Sequence, residues 1–562
     1  MKLSLQFISI ATAALLFASC KKSNTQGRYI PATAAIAVHL DGKSISDKLP
    51  WTEIKSSALF KEAYADSNLT ASIKKILDNP DNSGIDTKSD LMFFMQKDST
   101  GGYAALEGTI KDEAAFKKFC AEMTENATAS EKDGINYISR FPVCIGWNKE
   151  KFVAVFDAPQ LGQMDELSKR MTDDSIDISS SKPRDIIATC QSVFALEESK
   201  SLAEEEKFTK LLKESGDIHF WMNSEELYKG ASAPAALAMF NFDKLYKGSI
   251  TAATLNFDNG KITMNAHSYA GEEMTKLYEK FGGGKVDEDM LKRMPGKDVM
   301  ALVALNFKPE GLREFLKLTN LDGVINLGTA SLGFTLDDFI KANKGDVMFG
   351  LSDLAMVTDT STLVFKDEEE FAPPPMPKPE FNFIFAASVG DKDAFNKLVA
   401  SGKKATGALA ASGSFPIAYA NNGTYFALSN LQANADKYIA GGNSNAELIS
   451  KISGEPMGGF FNLQSIIKVF GAQASKDSSA KVVYDASLKL WDNVLFKGGN
   501  FKDDAATQLV EINLVDKTTN SLKQLNQYAN ILGELAKEKQ RKQKEDMMAF
   551  EDAVTPDSLK VK

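Results

Sequence analysis

A chain of 562 residues with 43% hydrophobic and 25% charged side chains has the composition of folded protein, and its length allows two or more domains. Its 75 acidic against 65 basic residues give a formal net charge of −10, which argues against nucleic acid, whose phosphates demand clustered Lys and Arg. The same balance disfavours broad adhesion to an anionic membrane face, and the 36 phenylalanines serve a large core or an apolar groove, core being the plainer assignment.

At the N-terminus, Lys2 is followed by a mostly apolar run from Leu3 to Phe17 and by the small residues Ala18-Ser19 before Cys20. The run is too short for a stable span, and Lys21-Lys22 follow at once, so residues 1–19 read as a cleaved lipoprotein signal. Cys20 is then the lipidation site and 20–27 a lipidated linker, since several acyl chains give an anchoring that one chain does not. The expected address is the bacterial cell envelope. The expected partners are the membrane, through the Cys20 lipid, and an envelope protein, glycan or lipid; nucleic acid is not among them.

Past the linker the chain is written twice. A proline-led apolar strand, Ile30-Pro31 to Leu40, returns as Met294-Pro295 to Leu305, and each precedes helical spacing (Trp51, Ile54, Phe60; Leu312, Phe315, Leu316). The strand Leu91–Met95 answers Val347–Leu351. Tyr103–Gly108 leads into Asp112 and a helix carrying Phe116, as Phe383–Val389 leads into Asp391 and a helix carrying Phe395, with each aspartate placed as N-cap. Hairpins follow in Phe141–Phe156 and Phe415–Leu428, and then Phe220–Asn223 matches Phe460–Leu463, with Asn223 and Asn462 as caps. The expected architecture is α+β: two tandem, internally duplicated halves, 28–285 and 286–535, each with mainly antiparallel sheet and packed helices. The joint is Phe281-Gly282-Gly283-Gly284-Lys285, and 536–562 is a charged C-terminal helix or tail. The acidic, proline-rich stretch from Asp367 to Pro379 reads as a solvated extended loop, because its prolines cannot join a central strand.

Catalytic signatures are absent from the sequence. The histidines His39, His219 and His267 each fall inside an expected strand and form no HExxH pair; they read as structural. Asp41-Gly42-Lys43-Ser44 lacks the upstream glycine of a phosphate loop and reads as a turn. Neither Gly230-Ala231-Ser232-Ala233 nor Ser412-Gly413-Ser414 makes a nucleophile elbow, and Asp337-Asp338 and Glu204-Glu205-Glu206 read as solvated helix faces. No cofactor or metal is expected. Cys120, Cys144 and Cys190 have no metal spacing. An oxidising compartment permits one disulfide among them, but Cys120 falls opposite Val399 and Cys144 opposite Ala418 in the repeat, which favours buried thiols.

The start Leu16-Phe17-Ala18-Ser19-Cys20-Lys21-Lys22, the Ile30-Pro31 strand and Asn79-Pro80-Asp81-Asn82-Ser83-Gly84-Ile85-Asp86 before an apolar strand resemble uncharacterised cell-envelope lipoproteins of Bacteroidetes-type bacteria, known only as a domain of unknown function. The resemblance implies an envelope location and brings no activity, cofactor or catalytic residue. In such bacteria acids just after the lipidated cysteine favour surface display; the first acid here is Asp41, which implies a periplasm-facing anchor. The functional expectation is a non-enzymatic binding or scaffolding lipoprotein. Its alternatives are a hydrolase of an envelope polymer, marked by perturbed acids in one cleft, and a carrier of an apolar ligand, marked by a Phe-lined cavity.

Overall fold

The computed structural model describes residues 26–65, 69, 71–98, 101–158, 184–229, 239–358, 377–410, 417–442, 445–475 and 477–554. The signal segment with Cys20, the segments around Ser232 and Ser412–Ser414, and residues 367–376 of the expected loop lie outside these. The fold is α+β with antiparallel sheet throughout. Two compact units are present, one drawn from Met1–Lys43 with Asn79–Ser232 and the other from Ser44–Asp78 with Ala233–Lys562. The boundary therefore precedes the hairpin at residue 250 rather than falling at the 281–285 glycines.

In the first unit, β1 (Ile36–Leu40), β2 (Leu91–Asp98), β3 (Gly101–Thr109), β4 (Ser130–Lys132), β5 (Ile135–Arg140), β6 (Val143–Trp147), β7 (Lys151–Asp157) and β8 (Ile218–Asn223) pair in the order β8-β1-β2-β3-β7-β6-β5-β4. Alternation puts successive side chains on opposite faces. One face packs beneath helix α1 (Glu113–Met123), where Phe116 and Cys120 meet Ile138, Ile145, Trp147 and Phe152. The opposite face carries His39, Glu107, Val153 and Cys144, and helix α2 (Ile186–Phe194) packs on it, with Cys190 bonding to the Val153 carbonyl.

The second unit holds β9 (Ile250–Asp258), β10 (Lys261–Tyr269), β11 (Val299–Asn306), β12 (Asn343–Thr358), β13 (Pro377–Val389), β14 (Ala418–Asn421), β15 (Tyr425–Ser429), β16 (Met457–Phe461), β17 (Trp491–Lys502) and β18 (Ala505–Leu514). Their order is β9-β10-β18-β17-β16-β11-β12-β13-β15-β14. Strand for strand, β16-β11-β12-β13-β15-β14 follows the same sequence of connections as β8-β1-β2-β3-β7-β6. The main core of this unit joins Leu302, Met348 and Ile384 to helix α3 (Glu288–Lys292), while helix α4 (Lys392–Ala410) covers the other face through Phe395.

The β9–β10 and β17–β18 hairpins both close on two-residue turns, Asp258 pairing with Lys261 and Lys502 with Ala505. Asp503 and Asp504 take φ of 52° and 61°, the left-handed pair that a tight hairpin of this twist requires. The inner strands then meet with Lys261 opposite Asn513, Asn265 opposite Leu509 and Tyr269 opposite Ala505.

Local chemistry explains the element ends. Asp112 accepts from the Ala115 N–H at 3.0 Å and Asp391 from that of Ala394 at 2.9 Å, starting α1 and α4. Asn223 and Asn462 cap their helices in the same way. Two expectations are corrected. Gly42 opens a helix, Gly42–Lys48, instead of making a turn, and a Cβ there would sit 2.2 Å from the Ser89 carbonyl oxygen, so close backbone approach is what demands glycine. Pro377 and Pro379 belong to β13: they pair with Thr358 and Met356 of β12, at an end of the strand where β15 does not reach. On that free side a missing N–H costs no ladder bond.

Candidate apolar binding grooves

Helices α1 and α4 follow the corresponding strands β3 and β13, and each covers only part of the sheet face beneath it. What remains is a groove. In the first unit a cavity of about 380 Å³ is lined by five phenylalanines, Phe116, Phe119, Phe141, Phe152 and Phe156, with Leu106, Val143, Ile145 and Ala154. In the second a cavity of about 470 Å³ is lined by Phe307, Phe339, Phe385, Phe395 and Phe426, with Val347, Leu398, Ile417 and Leu428. The two occupy corresponding places: Leu106 faces Ala154 across β3 and β7 as Phe385 faces Leu428 across β13 and β15. Phe116 and Phe395 follow their capping aspartates at the same interval.

Each groove opens through exposed apolar side chains. Phe141 is 59% exposed and Met123 48% at the first; Ile417 is 42% exposed at the second. The charged lining is one cation apiece: Arg140, paired with Glu125, and Lys403, whose Nζ lies 4.7 Å from the Tyr419 ring centre. Among the described residues no carboxylate lines either groove. Cavities of this size and lining take apolar or amphipathic small molecules. A third recess, of about 540 Å³ along β17–β18, is polar, and its acids are spoken for: Asp492 pairs with Lys517 at 2.8 Å and Glu511 with Lys261 at 2.9 Å.

A model of a family described as a domain of unknown function (DUF4836) matches residues 28–367. The chain belongs to that family. No curated protein matches this DUF4836 chain. Among solved structures it is similar to crystal form IV of TP0453, at 11% identity and a TM-score of 0.23, over 44% of this chain and 84% of that one. Crystal forms III and I give the same TM-score at 11% and 10% identity, over 46% and 44% of this chain and 88% and 79% of theirs.

The other residues singled out by sequence sit elsewhere in the DUF4836 fold. His39 and His219 pair across β1 and β8, their Nδ1 atoms 2.9 Å apart. The Glu214 carbonyl, 2.9 Å from His219 Nε2, only accepts, so Nε2 donates to it and His219 Nδ1 accepts the hydrogen bond donated by His39 Nδ1–H. His39 Nε2 lies 3.4 Å from Asp90, whose carboxyl that contact holds below its ordinary range, while burial lowers His219. Isolated strand histidines thus form a buried hydrogen-bonded pair, a convergence that only strand order reveals. His267, on β10, stacks near Tyr269.

Among the described residues no group of three or more His, Cys, Asp or Glu is placed to hold a metal ion, and no helix is long and apolar enough to cross a membrane. Thr335 caps the helix Leu336–Ala342, the Asp338 carboxylate accepts in return from the Thr335 N–H and pairs with Lys397, Asp337 pairs with Arg313, and Glu205 caps Glu206–Leu211. These acids are structural. Sequence reasoning missed Glu107, which is 2% exposed in β3 with Oε2 lacking a partner and Oε1 3.7 Å from Lys151 Nζ. Burial pushes its carboxyl up to about 7. It lies on the face of the sheet away from the groove.

Proposed function

We propose that this chain is a lipid-anchored, non-enzymatic envelope protein that binds an apolar ligand of acyl-chain character, one in each Phe-lined groove. The observation that carries the reading is the recurrence of a five-phenylalanine cavity at the corresponding place in both sheets. Two solvent-open grooves of several hundred Å³ lined by hydrocarbon leave contiguous apolar surface in contact with water, which favours an apolar occupant. Groove linings without carboxylates weigh against hydrolysis there. The shared strand order supports an internal repeat, which would give one binding module twice.

Titration with a fluorescent fatty acid tests the reading on the mature chain carrying Cys20→Ala. Saturable uptake of two molecules per chain is expected. Gly402→Trp, where a Cβ would meet nothing within 4 Å, fills the second groove, and Met123→Trp obstructs the first. Each should halve the stoichiometry and leave the other site intact. Unsaturable uptake, or uptake indifferent to both substitutions, overturns it.

The anchor has its own test. Cys20→Ala should move the protein from the membrane pellet to the soluble fraction; tight membrane retention without acylation would defeat lipid anchoring.

A further inference from the structure

Cys144 and Cys190, 46 positions apart in sequence, come to the same face of the first unit's sheet. Cys144 and Gly146 are two residues apart on β6 and so project from the same face, the one opposite the groove. Helix α2 lies on that face. Its Cys190 thiol donates to the Val153 carbonyl at 3.8 Å, and the sulfur lies 3.0 Å from where a Cβ on Gly146 would stand. Glycine at 146 therefore admits the helix, and the close approach sets the Cys190 sulfur on the strand face that carries Cys144, where the neighbouring Cys190 thiol lowers the Cys144 pKa. Cys120 belongs to α1 and packs on the groove face among Phe116 and Trp147. Cys144 and Cys190 thus share one face of the sheet and Cys120 lies on the other, and all three are free, buried thiols.

We propose that Cys144 and Cys190 are joined by a disulfide in the mature protein, tying α2 to β6 and leaving Cys120 as the free thiol. The bond forms by exchange with a disulfide-bearing oxidant. One cysteine thiolate attacks an oxidant sulfur, giving a mixed disulfide and releasing one thiol. The second thiolate then attacks the protein sulfur of that mixed disulfide and releases the other. The two cysteines lose two electrons and two protons, and the oxidant's disulfide gains them as two thiols. Buried thiols react slowly, so exchange occurs before the unit closes, and the closed fold then shields the bond from reductant. The envelope address rests on the Cys20 reading; the pairing of these two sulfurs does not.

The test uses the full mature chain with Cys20→Ala, unfolded under reducing conditions and refolded in a mixture of glutathione disulfide and glutathione. After quenching, unfolding and N-ethylmaleimide treatment, intact mass and peptide mapping count the free thiols. One adduct, at Cys120, and a Cys144–Cys190 linked peptide two hydrogens lighter than its parts are expected, rising to three adducts after reduction. Cys120→Ser should leave the linked peptide unchanged, and Cys190→Ser should make Cys144 fully alkylated. Three adducts after refolding, a persistent glutathione adduct at Cys144, or any bond to Cys120 overturns the proposal.

Discussion

Trp147→Ala is expected to destabilise the first unit by about 3–5 kcal/mol, as truncating a buried aromatic ring does when the site cannot collapse. Trp147 is 1% exposed, meets Phe116 edge-on with ring centres 5.9 Å apart, and belongs to the cluster from which the groove's inner wall is built. Its indole N–H has no acceptor, so Trp147→Phe keeps most of the packing, sheds an unsatisfied donor and should cost less than about 1.5 kcal/mol. Urea unfolding followed by hydrogen exchange at the β5–β7 amides reads the difference within that unit. Equal protection in wild type and Trp147→Ala would show that this cluster does not hold the sheet together.

The second large effect depends on pH. Glu107 is protonated up to about pH 7 in the folded chain because burial outweighs the attraction of Lys151 and Arg28, whereas the same group unfolded titrates near 4.5. Between those values the folded state binds more protons than the unfolded one. Its contribution to stability is therefore complete below about pH 4.5 and lost as pH rises through 7, a difference on the order of 3 kcal/mol. Glu107→Gln preserves shape and removes the titration. The variant should lose about 2–3 kcal/mol of the stability difference that wild type shows between pH 4.5 and pH 8. Parallel stability curves for the two proteins would place the buried charge elsewhere.

Much of the scaffold was legible because local rules set it. Alternating apolar runs broken by polar turns marked β6–β7 and β14–β15, and Asp112, Asp391, Asn223 and Asn462 stood where helices need caps. The grooves were not legible in the same way. Phe116 and Phe156 come together only after β3 has paired with β7, so abundance of phenylalanine was visible while its convergence was not. Pro377 and Pro379 were misplaced because the rule excluding proline from strands applies to both-sided pairing, and β13 is paired on one side there. Gly42 was taken for a turn because the sequence does not show the Ser89 carbonyl pressing on it. The seat of Cys190 on β6 was hidden for a related reason: what admits it is the missing side chain at Gly146.

The seam between β10 and β18 has a property that neither strand has alone. Counted from their turns, Lys261 corresponds to Ala505 and Tyr269 to Asn513, and the observed pairing sets Lys261 against Asn513 and Tyr269 against Ala505. Each strand thus presents to the other the position that it receives, with Asn265 and Leu509 at the pivot. That is the signature of an isologous contact, the kind by which two identical subunits form a closed dimer. A chain ending after the helix Glu272–Phe281 would expose β10 as an edge that matches itself in register, with lysine facing tyrosine and no like charges opposed. Such an edge has one obvious cover, another molecule of the same kind, and in this chain the cover is supplied covalently.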